Sequence, residues 1–200
     1  MKSSYTSFVF FTLADVSKVR LVEEGKIICG RWESQLRKLT EARGRKLVQD
    51  FVNWPNVPSE ACRFVKLYGP IHGTAKAGES FRTHADLSGD QQHFRWLWEH
   101  ANEFPDWQDP TGRGKLVYRN GRLEYQTSTL YDFLYLELVT CPAHSLRKCR
   151  QPNCETPYFI GHHRTQYCSD VCAGSAQKKW KREWWAKEGR ERRRHARETE

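Results

Sequence analysis

Four cysteines in the last third of the sequence constrain this chain more than any other feature. Cys149, Cys154, Cys168 and Cys172 follow the pattern C-x4-C-x13-C-x3-C. Two pairs of soft thiolates from two short loops can close a tetrahedron around one Zn²⁺ ion. Neither loop holds enough apolar residues to keep its shape by burial alone, so one structural zinc is expected to order the segment. Four sulfur ligands leave no coordination position for water, which argues against a catalytic metal.

Local signals around the cysteines support that reading. Pro152 and Asn153 suit a tight knuckle between the first pair. Tyr158-Phe159-Ile160 reads as a short strand, residues 161–165 (GHHRT) as a turn, and Gln166-Tyr167 as the return strand. Ser169 is placed to cap a helix whose first turn contains Cys172, so the helix N-terminus points its partial positive charge at the thiolates. A knuckle, a hairpin and a helix supplying the last ligands make a treble-clef-type finger. His162 and His163 fall in the turn and read as exposed residues rather than ligands. Cys29, Cys62 and Cys141 stand in apolar surroundings and read as small buried hydrophobes, with Cys141 near enough in sequence to reach the metal as a fifth thiol.

Beyond Cys172 the sequence predicts one long helix over about residues 170–196, free of proline. Residues 178–197 carry ten Lys/Arg against three Glu. Lys178, Lys179, Lys181, Arg182, Lys187, Arg190, Arg192, Arg193 and Arg194 are the candidate nucleic-acid contacts, because such a rod can neutralise several phosphates. Trp180 and Trp184 lie four residues apart with Trp185 beside them, and are expected to pack back on the finger and the preceding domain. The net charge of the chain is +9, and most of it lies in residues 143–200, with 14 Lys/Arg against 7 Asp/Glu. Such a local field suits a polyanion.

Residues 1–142 read as a mainly helical domain with a small β-hairpin component. Residues 5–14 and 26–32 are rich in β-branched and aromatic residues and predict strands. Leu36, Leu39, Leu47 and Phe51 predict a helix over 33–52. Ser59 is the expected cap of a helix over 60–67, residues 69–89 read as a loop, and Asp90 as the cap of the next helix. Asn120-Gly121 between two apolar triplets is a type I′ hairpin signal. Thr129 would cap an almost wholly apolar helix, LYDFLYLELV, at the buried centre. The class is therefore α+β, with residues 1–142 followed by a four-cysteine zinc finger and long basic C-terminal helix over 143–200.

Seven cysteines, an odd number with metal-ligand spacing, do not suggest a secreted disulfide framework, and a reducing cytoplasm is expected. The apolar stretch 8–14 is interrupted by Thr12 and followed by Asp15 without a cleavage signal, so it is not read as a signal peptide. No segment reaches the ~20 apolar residues of a membrane span.

The segment from Leu146 to about Trp185 resembles the CGNR-type zinc fingers of bacterial proteins. The matching residues are Leu146-Arg147-Lys148-Cys149, Cys154, Phe159, Tyr167-Cys168-Ser169 and Cys172, followed by a basic helix. That resemblance implies a C-terminal finger on a mainly helical domain, called ABATE in that family, and a role in transcription regulation. The sequence departs from the pattern after Cys172, where Ala173-Gly174-Ser175 stand in place of Gly-Asn-Arg. Contacts made by the missing asparagine and arginine do not carry over.

Three functions follow from these residues. The first is a DNA-binding transcription regulator, with RNA as an alternative ligand and a small molecule or protein as the effector of the N-terminal domain. The second is an adaptor in which zinc builds a scaffold and the tryptophans meet another protein. The third, a nuclease, lacks a pattern: His84, His93 and His100 stand in or near a helix with no nucleophile or ligand set beside them. The chain is not expected to be an enzyme.

Overall fold

A computed structural model describes residues 6–14, 20–21, 26–28, 32–39, 41–69, 71–72, 80–103, 114–119, 122–127 and 129–198. Helices form the larger share of the regular structure, and three sheets accompany them. The four-stranded sheet contains β1 (Thr6–Ala14), β4 (Trp32–Leu39), β6 (Gly114–Arg119) and β7 (Arg122–Thr127), in the order β4-β1-β7-β6. β1 runs antiparallel to β4, from Ser7 opposite Leu39 to Ala14 opposite Trp32, and parallel to β7. β2 (Arg20–Leu21), β3 (Lys26–Ile28) and β5 (Ser80–Thr83) form a second sheet. The β content is therefore greater than the hairpin and the two strands expected over 5–14 and 26–32, with β4 and β5 among the additions. That hairpin is present as β6/β7, while its Asn120-Gly121 turn lies outside the described residues.

The helix expected over 33–52 splits: β4 occupies 32–39, and α1 (Glu41–Asn53) starts only afterwards. Leu36 and Leu39 fit a helical step, but β1 is an apolar nine-residue strand whose backbone groups need a partner. Eight register pairs with β4 supply it. The second correction is α3 (His84–Glu99), which begins six residues before the expected cap at Asp90. Gly89 reads as a breaker in the sequence, yet it sits on the exposed face with nothing within 4 Å of a would-be Cβ. Leu87 and Gln91 meanwhile extend the buried stripe of Phe94, Trp98 and Ala101 backwards by nearly two turns.

Helix α2 (Pro58–Tyr68) also starts earlier than expected. Val57 is its N-cap without a side-chain bond, and Pro58 occupies the first turn, where a missing N–H costs nothing. Gly69 ends it at φ 88°, a conformation that favours glycine, while its N–H bonds Val65 O at 2.8 Å. Helix α4 (Leu130–Val139) matches its expected limits and is capped by Thr129 Oγ1, which accepts from the Asp132 N–H at 3.0 Å. Its Leu130, Phe133, Leu134 and Leu138 are buried at the centre of the core.

Around α4 the core is aromatic. Phe51 packs edge-on against Phe94 at 5.3 Å between centroids, and Trp54 edge-on against Phe64 at 5.2 Å. α3 also satisfies the C-terminal end of α1. Gln91 Nε2 donates to Phe51 O (2.9 Å) and Trp54 O (2.6 Å), and Arg95 Nε donates to Val52 O (2.7 Å). These are the orphan carbonyls of a helix end, and a guanidinium there also meets the negative pole of the helix. The same core takes in Leu146 and Tyr158 from the cysteine-bearing segment.

Candidate metal centre and cationic helix

The first cysteine pair hangs from a two-stranded antiparallel sheet, β8 (Leu146–Lys148) and β9 (Tyr158–Ile160). Cys149 N–H donates to Pro157 O at 2.6 Å and Cys154 N–H to Gln151 O at 3.2 Å, so Gln151-Pro152-Asn153-Cys154 is a closed turn. The second pair straddles the start of α5 (Asp170–Trp184). Ser169 caps that helix by accepting from the Cys172 N–H, which fixes Cys172 in the first turn. The knuckle and the approach to the helix are joined by Arg150 N–H donating to Gln166 O at 3.0 Å.

The return strand expected at Gln166-Tyr167 is not formed; β9 pairs with β8 instead. The other edge of β9 is taken by side chains of α1. Asn53 brackets Tyr158, its Nδ2 donating to Tyr158 O (2.6 Å) and its Oδ1 accepting from Tyr158 N–H (3.0 Å), while Gln49 Oε1 accepts from Ile160 N–H (3.4 Å). On the β8 side, Trp98 Nε1 donates to Arg147 O at 3.1 Å. α1 thus caps the free edge of β9 and α3 anchors β8, in a sheet too small to stand alone. Replacing Asn53 by alanine is expected to destabilise the protein by about 1–3 kcal/mol, because it strands two backbone groups of Tyr158 without partners. A denaturant titration checks this, and an unchanged midpoint contradicts it.

The four sulfurs converge. The Sγ atoms of Cys149, Cys154, Cys168 and Cys172 all lie within 4.8 Å of one another. Cys154 and Cys168 are 3.4 Å apart, Cys168 and Cys172 3.6 Å, and Cys172 and Cys154 3.8 Å. A tetrahedral site with metal–sulfur distances of about 2.3 Å has sulfur–sulfur edges of roughly 3.8 Å, so these residues fit one metal ion. Burial first, and then hydrogen bonding with Cys168, push the Cys154 thiol up to about 12. Cys168 moves down: burial raises it, but its hydrogen bonds with Cys154, Cys172 and Ser169 outweigh that. Four thiolates brought this close repel one another and call for a cation among them. Cys141 is buried but outside this cluster, its Sγ 3.2 Å from Ser145 Oγ. Cys62 is buried as expected, and Cys29 lies outside the described residues. His162 and His163 are exposed in the turn, their rings 4.0 Å apart.

One carboxylate ties the finger to the body. Glu99 Oε1 accepts from Tyr158 OH (2.6 Å) and from Lys148 Nζ (2.7 Å). Burial raises the Glu99 pKa, but the Lys148 and Tyr158 bonds outweigh it and the net shift is downward. Tyr158 is raised to about 12, by burial first and by Glu99 second. A depressed carboxylate contributes stability that is present above the unfolded carboxylate range and is lost as pH falls through its folded value; a raised phenol contributes below about 10 and is lost towards 12. Thermal melts of the metal-loaded protein are therefore expected to show an acid-side loss that is smaller in Glu99→Gln. Identical acid profiles for the two proteins contradict the latch.

Beyond the metal centre α5 continues through a π-helical turn, Trp185–Gly189, into α6 (Arg190–Glu198). No residue of α5 is buried. All nine cations singled out in the sequence, from Lys178 to Arg194, are exposed. Lys179 Nζ lies 3.9 Å from Glu183, one helical turn further on. The tryptophans do not pack back on the body as expected: Trp180 is 62% and Trp185 44% exposed, and Trp184 is half-buried. The cysteine cluster and the Ser169 cap set where this helix starts, so it needs no apolar face to hold its root. Trp180 instead lines an open groove with Tyr167, Ala173, Ala176 and Gln177.

No protein-family model, curated protein or solved structure matches this chain. Among the described residues no helix is long and apolar enough to cross a membrane.

Asn53, Gln49 and Glu99 were not singled out in the sequence. Asn53 and Tyr158 are 105 residues apart, and no local pattern marks a side chain that caps a distant strand edge.

Proposed function

We propose that this chain is a zinc-stabilised DNA-binding protein that acts in transcription regulation, a divergent relative of the CGNR-type fingers. The observation that carries the reading is a row of nine exposed cations on a helix rooted in four convergent cysteines. Zinc suits the donor set, since it takes four thiolates in a tetrahedron and needs no redox partner. The knuckle contributes two ligands, and the residue before the Ser169 cap and the first turn of α5 contribute one each, the arrangement of a treble clef. With its shell complete, the ion is structural, and the protein is not an enzyme. From Asp170 to Glu198 the rod spans about 44 Å at 1.5 Å per residue, long enough to follow a groove or a phosphate backbone across several base pairs.

Titration of fluorescent duplex DNA with the zinc-loaded chain tests this. Binding that weakens steeply with added salt, as counterion release requires, supports it. No binding to duplex DNA at low salt sinks it.

A second reading has its own support in Trp180 and Val171, which are 62% and 78% exposed. These residues suit an adaptor that meets another protein. Under that reading Trp180→Ala abolishes association with a partner while neutralising the cations leaves it intact.

A further inference from the structure

The cations of the rod change in kind along its length. Before Gly189 they are Lys178, Lys179, Lys181 and Lys187 with one arginine, Arg182; after it they are Arg190, Arg192, Arg193, Arg194 and Arg197, with no lysine. The change falls at the π-helical turn. In an uninterrupted α-helix, residues eight apart are offset by about 80°. The extra residue of a π turn makes eight behave as seven, which is close to two full turns. Arg192 accordingly lies over the Trp184 ring with Cζ 5.9 Å from its centroid, and Arg193 over Trp185 at 4.4 Å. The two indoles meet edge to face at 4.9 Å, so the two cation–π contacts join in one aromatic ladder.

Gly189 belongs to the same device. A glycine inside a helix costs about 1 kcal/mol relative to alanine, yet a Cβ here would collide with Cε3 of the Trp185 ring. The indole lies against the backbone where a side chain would be, and Gly189 is buried on a rod whose α5 portion has no buried residue. The ladder is therefore specified by three features at once: the π turn, the glycine and the paired tryptophans.

A guanidinium held over an indole face by cation–π attraction keeps its N–H groups free to donate. A phosphate accepts either cation, lysine as a point charge and arginine through two N–H groups, so the arginines held over the indoles are distinguished by their placement and not by charge. The guanidinium's fork of N–H groups matches a planar pair of acceptors, and the pair offered in the major groove of DNA is guanine O6 and N7. The major groove of duplex RNA is too deep and narrow for side chains to read.

We propose that Arg192 and Arg193, stacked on Trp184 and Trp185, form a guanine-reading fork for the major groove of duplex DNA, with the lysines nearer the metal centre holding phosphates. The proposal rests on the DNA-binding function proposed above. Trp184, Trp185 and Gly189 are positioning residues in it.

The test is anisotropy titration of the full zinc-loaded chain against duplexes of equal length: one of A·T pairs only, one containing guanines, and one with those guanines replaced by 7-deazaguanine, which lacks the N7 acceptor. Wild-type protein is expected to prefer the guanine duplex by roughly tenfold or more, in line with one or two bidentate contacts. The preference should vanish with 7-deazaguanine, in the charge-preserving double variant R192K/R193K, and in Gly189→Ala, which changes no charge and favours helix. The salt dependence should stay the same in all three proteins, which separates base reading from phosphate contact. Equal binding of wild-type protein to all three duplexes overturns the fork while leaving DNA binding in place. An undiminished preference in R192K/R193K or in Gly189→Ala overturns it too. Binding to none of the duplexes defeats the DNA-binding function itself, and the fork with it.

Discussion

Withdrawing the metal, or replacing Cys168 by serine, is expected to unfold residues 146–172 and release the cationic helix from its fixed direction. Tyr158 and Phe159 are the large side chains buried in this stretch, together with Leu146 and Cys149. Each contributes no more than about 1.5–3 kcal/mol by burial, and ordering the chain costs roughly 1–2 kcal/mol per residue. Structural zinc in comparable fingers supplies about 10–16 kcal/mol of apparent binding energy at neutral pH. Removing it is therefore the largest single loss the fold can suffer. α1, α3 and α4 keep their own aromatic core and are expected to remain folded. Hydrogen exchange with and without a chelator checks this. Protection should disappear from β8, β9 and the first turn of α5 and persist in α4. Unchanged protection across residues 146–172 contradicts it.

Neutralising Lys178, Arg182, Arg190 and Arg194 to glutamine is the second large effect. Lys178 and Arg182 are four apart, as are Arg190 and Arg194, and all four are exposed. The extra residue of the π turn keeps the two pairs on one face, as it does the stacked arginines. Each phosphate contact contributes about 0.9 to the slope of log affinity against log salt. Losing four contacts should flatten that slope by roughly 3.6 and weaken duplex binding by about a thousandfold or more at 0.1 M salt. Glutamine is a good helix former, so helicity should not change. A quadruple variant with unaltered affinity and slope would rule out this face as the nucleic-acid surface, and would favour the adaptor.

What could be read from the sequence was local. The Thr129 cap and the limits of α4, the Ser169 cap of α5, the knuckle at Pro152-Asn153 and the strand Tyr158–Ile160 all follow from residues within a few positions of one another. The cysteine spacing likewise brought the correct four sulfurs together. What escaped depends on distant partners. Residues 32–39 form a strand because β1 lies beside them, and β9 finds β8 and Asn53 rather than Gln166-Tyr167. The tryptophans illustrate a different difficulty: their helical spacing suggested burial, but a ligand cluster had already fixed the helix from its first turn. The π turn left no separate mark beyond Gly189, whose purpose is visible only against the Trp185 ring.

The central claim is that a metal held by four sulfurs orders the finger and aims the cationic rod. Elemental analysis of the purified, reduced chain, repeated after chelation and paired with a circular dichroism melt, tests it most directly. The account predicts one equivalent of zinc per chain, together with loss of ordered structure when the zinc is removed. A preparation free of transition metal that melts at the same temperature with and without chelator would contradict it.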